Sequence, residues 1–300
     1  MQPEPLNLPI EASIAYSDKK GNYKKGIEKR QQKTLSKVTP LLSRILEPDE
    51  KILMAAKACS PMGFFEPLGM GAWAYYFKRC ILVLTDRRIL HLPTKTDYAH
   101  RDSVAEIRFG DLDSVKSASF LGYSFTFQYK NGKKERFAKV QSADYKRFKD
   151  ALDARLVASG LKPTTAMGRV HLCPRYVKPL SEGVYSCPKC HLAFKDMATA
   201  RKWSILLPGG GYFYTGQAGF GILDALMETF LIVMLVLIAL GIDDSPDAAA
   251  TLGVIAIALV FEKLITIMHA GHRIKEFLPA EKVMQAVPVR PGQSNRPLTP

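Results

Sequence analysis

Cysteine is scarce in this chain of 300 residues: there are five, an odd number, and Cys59 and Cys80 sit in apolar stretches where buried thiols are expected. A small scaffold stapled by disulfides is thereby excluded. The stretch from Met1 to Ser13 has no basic start followed by an apolar core, so no secretory signal is expected and the thiols belong to a reducing compartment. Catalytic motifs are missing too. There is no Gly-x-Ser-x-Gly, no His-Glu-x-x-His and no dinucleotide fingerprint, and the six histidines (91, 100, 171, 191, 269 and 272) form no pattern with carboxylates. Asp111-Leu112-Asp113 lacks the spacing of a calcium loop. The expectation is a protein that is not an enzyme. Wholesale disorder is excluded by a hydrophobic content of 47%, and the length suits about two domains.

Acidic residues are short, 28 against 42 Lys and Arg, and the deficit is not spread evenly. Six of the basic and eight of the acidic residues follow Trp203, so the first 203 residues carry +16 and the remainder carries −2. Such a field favours anionic lipid headgroups or nucleic acid. Long apolar runs are confined to the C-terminal third. Gly221 to Ile242 would span roughly 33 Å as a helix, enough for a hydrocarbon core of about 30 Å, and Ala248 to His269 is of similar length. The acidic turn Asp243-Asp244-Ser245-Pro246-Asp247 joins them into a two-span hairpin. Lys195, Arg201 and Lys202 precede it, Arg273 and Lys275 follow it, and the turn has no Lys or Arg. By the positive-inside bias both termini are cytoplasmic.

Four charged residues lie within the spans: Asp224, Glu228, Glu262 and Lys263. Counted from the turn, Glu228 and Lys263 differ in depth by only about 1.5 Å, so they are expected to face each other, with Asp224 on the face of Glu228. A Lys263 that snorkels to the headgroups is the alternative. Before the first span, Leu206-Leu207-Pro208-Gly209-Gly210-Gly211-Tyr212-Phe213-Tyr214-Thr215-Gly216-Gln217 is rich in glycine and aromatics. A phosphate loop is rejected, because Gly216 is followed by Gln217 and Ala218 rather than Lys and Ser or Thr. The stretch resembles the Pro-Gly-x-Gly-x-Phe-Tyr-x-Gly entry of the two-helix TM2 domains, a resemblance that implies two linked spans and no chemistry.

Residues 1–39 hold a basic run (Lys19, Lys20, Lys24, Lys25, Lys29, Arg30, Lys33, Lys37) and read as a flexible arm or frayed helix, the alternative being a segment attracted to an anionic membrane surface. From Glu47 to Gly160 the pattern is β-rich and ends in a helix. Lys51 to Ala58 and Tyr75 to Leu84 read as strands, and Tyr123, Phe125, Phe127 and Tyr129 alternate with polar residues. Asn131-Gly132 signals a hairpin, and Tyr145, Phe148, Leu152 and Leu156 recur at helical spacing. Three fragments, Leu46-Glu47-Pro48-Asp49-Glu50-Lys51-Ile52, Leu84-Thr85-Asp86-Arg87-Arg88-Ile89-Leu90 and Phe109-Gly110-Asp111-Leu112-Asp113-Ser114-Val115, together resemble the bacterial pleckstrin-homology (PH) class. The resemblance covers roughly residues 40 to 158 and implies a seven-stranded bent sheet, a C-terminal helix and a binding role. It does not imply phosphoinositide binding, because Ser60 to Trp73 has no basic residue. That loop instead carries an apolar load, Phe64, Phe65 and Trp73 foremost, suited to folding over the barrel or docking on a membrane or partner.

Cys187-Pro188-Lys189-Cys190 is the turn of a zinc knuckle, and Cys173-Pro174-Arg175-Tyr176 matches it with Tyr in place of the second Cys. The expected zinc ligands are Cys173, Cys187 and Cys190 with His171, His191 or water in fourth place, the alternative being a metal-free relic. The reading is a multidomain α+β membrane protein: a basic arm (1–39), a PH-like domain (40–160), a zinc-ribbon-like module (161–200), an entry segment with two spans (201–278) and a disordered tail (279–300). The expected function is a scaffold or interaction module in a bacterial inner membrane, binding a protein or anionic lipid. A membrane-tethered nucleic-acid-binding protein and an oligomeric pore or transporter subunit, built from homo-oligomers, are the alternatives.

Overall fold

A computed structural model of the chain describes residues 6–62, 73–120, 122–158, 168–241, 247–281 and 283. They fall into two compact units, one drawn from residues 1–181, 187–191 and those after 280, the other from 182–186 and 192–280. The fold is mixed α and β, with two long apolar helices in the second unit.

The first unit opens with three short helices, α1 (Ala12–Ala15), α2 (Lys25–Leu35) and α3 (Thr39–Ile45). Strand β1 (Ile52–Cys59) and a one-turn helix α4 (Trp73–Phe77) lead into β2 (Arg79–Thr85), β3 (Arg88–Pro93) and β4 (Val104–Arg108). A three-stranded sheet follows, β5 (Leu112–Ala118), β6 (Ser124–Tyr129) and β7 (Lys134–Phe137), then helix α5 (Ser142–Ala158). Strands β8 (Val170–Leu172) and β9 (Pro179–Leu180) extend the first sheet, whose order is β1-β2-β3-β4-β8-β9 with antiparallel neighbours. The two sheets meet where Cys59 and Ala138 exchange backbone hydrogen bonds.

Strand β2 is apolar from Cys80 to Leu84 because the first sheet is covered on both faces. Leu82 and Leu84 point into a core shared with Phe125, Phe127, Tyr129, Phe137, Phe148 and Leu152 from the second sheet and α5. Ile81 and Val83, one residue out of phase, point into a second core with Leu35 of α2, Val38 of the turn that follows it, and Leu41, Leu42 and Ile45 of α3. Where it is described, the segment read from the sequence as a flexible arm is therefore part of this unit. It also blunts an edge, for β1 is the outermost strand of its sheet. The buried Gln31 side chain accepts from Ala55 N–H at 2.8 Å and donates to Ala55 C=O at 2.9 Å. Ile52 pairs likewise with Pro9 and Glu11.

Asn131-Gly132 makes the tight turn of the β6–β7 hairpin, with Gly132 at a φ of 83° that a side chain would resist. Tyr75, Tyr76 and Phe77, expected to begin a strand, lie in α4, which buries Ala74 and Phe77; the strand starts at Arg79. Phe64 and Phe65 of the apolar loop lie outside the described residues, as does the tail beyond residue 283.

The second unit holds α6 (Met197–Leu206), α7 (Gly210–Tyr214), α8 (Ala218–Ala239) and α9 (Ala248–Ile274). Asp196 caps α6 by accepting from Thr199 N–H at 2.8 Å. The glycine run has a steric cause. A Cβ at Gly210 would stand 2.0 Å from Trp203 O, and one at Gly209 would stand 2.1 Å from Gly221 O, so α6, the turn and α8 approach backbone to backbone. Beyond α9, Pro279 and Ala280 pair with Phe194 and Ala193. Helices α8 and α9 are long and apolar enough to cross a membrane, and only 11% and 17% of their most apolar windows are buried within the protein. Trp203, Ile205, Leu206, Leu207 and Phe213 of the entry segment are exposed too.

Candidate functional site

Cys173 follows β8, and Cys187 and Cys190 lie across from it in the same unit, so the three thiols gather within 4.8 Å of one another. Cys173 and Cys190 sulfurs are 3.6 Å apart. Thiolates around a tetrahedral ion with bonds of about 2.3 Å stand roughly 3.8 Å apart, so the donor set can hold a soft metal ion.

The two halves of the cluster are built alike. The amides of Arg175 and Tyr176 donate to the Cys173 sulfur, and those of Lys189 and Cys190 donate to the Cys187 sulfur. Four residues after the first cysteine of each half, Val177 N–H closes onto Cys173 C=O at 2.8 Å and His191 N–H onto Cys187 C=O at 3.0 Å. Both closing residues are left-handed, at φ of 54° and 52°. That conformation is costly for a β-branched valine, and the hydrogen-bonded turn imposes it. Tyr176 stands where the first knuckle would carry its second cysteine, half exposed beneath Lys189, whose Nζ lies 4.4 Å from its ring centre. His171 sits on β8, paired with Ala105 of β4 and Leu180 of β9, and the His191 side chain is exposed. Among the described residues neither joins the thiols. At Cys187 burial is outweighed by the amides of Cys190 and Lys189, which hold the thiol below its ordinary value, whereas burial pushes Cys173 up to about 12.

Two of the three sequence fragments, those holding Glu50 and Arg88, meet at one guanidinium, where Glu106 of β4 joins them. Arg88, 4% exposed, donates to both oxygens of Glu50 at 3.0 and 2.8 Å, to Glu106 and to Ile45 C=O. Thr85 donates to Glu50 at 2.8 Å and accepts from the amides of Arg87 and Arg88, while Asp86 and Lys51 exchange hydrogen bonds across the turn. The Thr-Asp-Arg-Arg motif is thus a structural clamp. Its chemistry is spent internally.

A second buried constellation was invisible in the sequence. Ser60 Oγ lies 2.7 Å from His91 Nε2, the spacing of a nucleophile and its base. Arg169 Nη1, a permanent donor, lies 2.6 Å from His91 Nδ1 and fixes that nitrogen as an acceptor. In the tautomer that this contact favours, Nε2 carries the proton and donates to Ser60.

On the first unit's surface, Lys57 and Arg79 pack over aromatic faces. Arg79 lies 4.4 Å from the Tyr76 ring centre and 5.1 Å from that of Tyr98, and Lys57 Nζ lies 4.6 Å from Tyr98. Burial, and then the charges of Lys33, Lys37 and Arg79, hold the Lys57 ammonium below its ordinary value, with Asp144 opposing. A cation under pressure from neighbouring cations favours an anionic ligand.

In the second unit, Lys263 ion-pairs with Glu228 and donates to Ser204 C=O, and Gly209 N–H donates to the other Glu228 oxygen at 3.1 Å. Asp224 and Glu262 complete a cluster of three carboxyls within 4.8 Å. Trp73 begins α4. No family profile matches the chain, and no curated protein matches it.

Proposed function

We propose that the chain is a membrane-anchored cytoplasmic interaction module of a bacterial inner membrane, held by α8 and α9 and binding an anionic lipid or protein through a PH-like first unit. The observation that carries this reading is the exposure of two long apolar helices in the same chain as a basic patch of Lys33, Lys37, Lys57 and Arg79 ringed by Tyr76 and Tyr98. Two apolar helices left unburied need a solvent other than water. The PH-like reading is supported by four antiparallel strands, then three, then one long helix. In this reading the thiol cluster holds a structural zinc, with water or another exogenous ligand in fourth place, and both termini are cytoplasmic.

The decisive test has two parts. The full chain in native membranes should resist extraction by alkaline carbonate, and a cysteine placed at Ser245, but not one at Ser294, should react with an impermeant thiol reagent outside intact cells. Lipids that co-purify with the full chain should be enriched in anionic species, and Lys57→Ala with Arg79→Ala should remove the enrichment. Release by carbonate ends the membrane reading. Equal lipid profiles with an unchanged set of captured proteins end the binding role of the patch.

A further inference from the structure

Within the second unit the charge count does not close. Lys263 is the cation of the cluster, and it is committed to Glu228, whose second oxygen is taken by Gly209 N–H. Asp224 and Glu262 remain, with their carboxyls in hydrogen-bond contact. They compete for one hydroxyl: Thr266 Oγ1 lies 2.8 Å from Glu262 Oε1 and 3.3 Å from Asp224 Oδ2, and it has a single proton to give. Glu262 is 8% exposed, and its Oε2 has no donor among the described residues. Two ionised carboxylates at this distance, with one hydroxyl proton to share, cannot both persist away from water.

We propose that Asp224 and Glu262 form a proton-binding site in which the two carboxyls share one exchangeable proton. The proton turns one carboxyl into a donor toward the other's free oxygen and removes one of the two uncompensated charges. The groups that face the pair are Glu228 on α8, Lys263, Thr266 and His269 on α9, Tyr212 on α7 and the Ser204 carbonyl of α6. Tyr212 hydrogen-bonds to His269 Nδ1. A metal ion suits the site less well. Asp224, Glu262 and Thr266 offer about half the oxygens a calcium ion takes, and the Lys263 ammonium beside the third carboxylate opposes a second cation.

The inference rests on the membrane reading for the exclusion of water, and the test separates the two. A carboxyl adds through its oxygen to the central carbon of a hydrophobic carbodiimide and gives its proton to the carbodiimide nitrogen, so in an apolar site only a protonated carboxyl is labelled. The full chain in carbonate-washed native membranes is treated at neutral pH and the adduct is located by mass spectrometry. An adduct on Asp224 or Glu262, with none on Glu228 and loss of reaction at alkaline pH, is expected. Asp224→Asn, which keeps a donor for Glu262, should leave membrane abundance unchanged while abolishing the adduct on Glu262. No adduct on either residue in carbonate-resistant protein overturns the proposal, as does undiminished labelling of Glu262 in Asp224→Asn. Protection by sodium or calcium at fixed pH overturns it in favour of a metal cation. Protein released by carbonate refutes the membrane reading instead.

Discussion

Replacing Arg88 with methionine removes the guanidinium but keeps a side chain of similar length, and the loss can be worked out from its partners. Glu50 is fully buried and keeps only the hydroxyl of Thr85 and the amide of Glu47, whereas Glu106 keeps Arg108 at 2.8 Å. The stranded charge is Glu50. Removing one member of a buried pair costs about 3 to 5 kcal/mol. With a urea dependence of about 2 kcal/mol per molar, the first unit should unfold about 2 M earlier. Pulse proteolysis of the full chain in mild detergent across a urea series measures this. The pH dependence has a definite sign. In the native protein burial pushes the Glu50 carboxyl up, but Arg88, the Glu47 amide and Thr85 outweigh it, so the net shift is downward. That stabilisation is present above the unfolded value of about 4.3 and is lost as pH falls through the folded one. Without Arg88 only the Glu47 amide and the Thr85 hydroxyl still oppose burial, so the variant keeps less of the stabilisation that sets in above the unfolded value. The gap between the two proteins should therefore be widest at neutral pH and narrow below about pH 4. Adding Glu50→Gln to Arg88→Met should recover much of the loss. A gap that does not change with pH, or a midpoint shift below about 0.5 M, would refute the clamp.

The purified full chain should carry about one equivalent of zinc, and Cys187→Ser with Cys190→Ser should abolish it by elemental analysis. Tyr176→Cys should complete a set of four thiolates and slow metal loss to a chelator; an unchanged rate would mean that the twin knuckles do not face one ion. Binding of anionic vesicles should weaken as pH rises into the alkaline range where Lys57 discharges, and Lys57→Arg, permanently charged, should flatten that decline. For the hairpin, Glu228→Gln and Lys263→Met should each lower membrane abundance, and the double variant should lose less than the sum of the two. Strict additivity would mean that the pair contributes nothing.

The parts of this molecule that could be read in the sequence are those in which local pattern and tertiary role coincide. Alternation along β6, Asn131-Gly132 and the helical stripe of Tyr145, Phe148 and Leu152 each report the face they bury. The Cys knuckles were legible because metal binding demands fixed spacing, although only the structure shows that the Tyr176 half keeps the backbone of the complete one. Depth counting paired Glu228 with Lys263 because a helical hairpin has a fixed rise, and the two do meet. Residues 1–39 misled for a physical reason. Their charge is concentrated on Lys25, Lys29 and Lys33 along the exposed side of α2, while burial rests on Gln31, Thr34 and Leu35, two of them polar. A composition count sees the lysines and not the glutamine that completes a sheet edge. The Ser60–His91–Arg169 contacts join residues up to 109 apart through the fold and leave no local trace.

The rigid placement of α2 also changes what the basic excess can do. Lysines on a flexible arm attract any anion diffusely, and each must be ordered when a ligand binds. Here one side of the helix is locked through Gln31 to β1, so Lys25, Lys29 and Lys33 project at one-turn intervals from a fixed support, with Lys33 close enough to press on Lys57. Part of the entropic cost of assembling a multivalent cationic surface has been met by folding. Gln31→Ala should test this directly. It leaves every charge in place but frees the edge of β1, so net charge alone predicts unchanged binding to anionic vesicles, whereas a preorganised surface predicts weaker binding with an unaltered salt dependence. Unchanged binding, in protein whose first unit still resists proteolysis, would show that the excess charge acts only as a diffuse field.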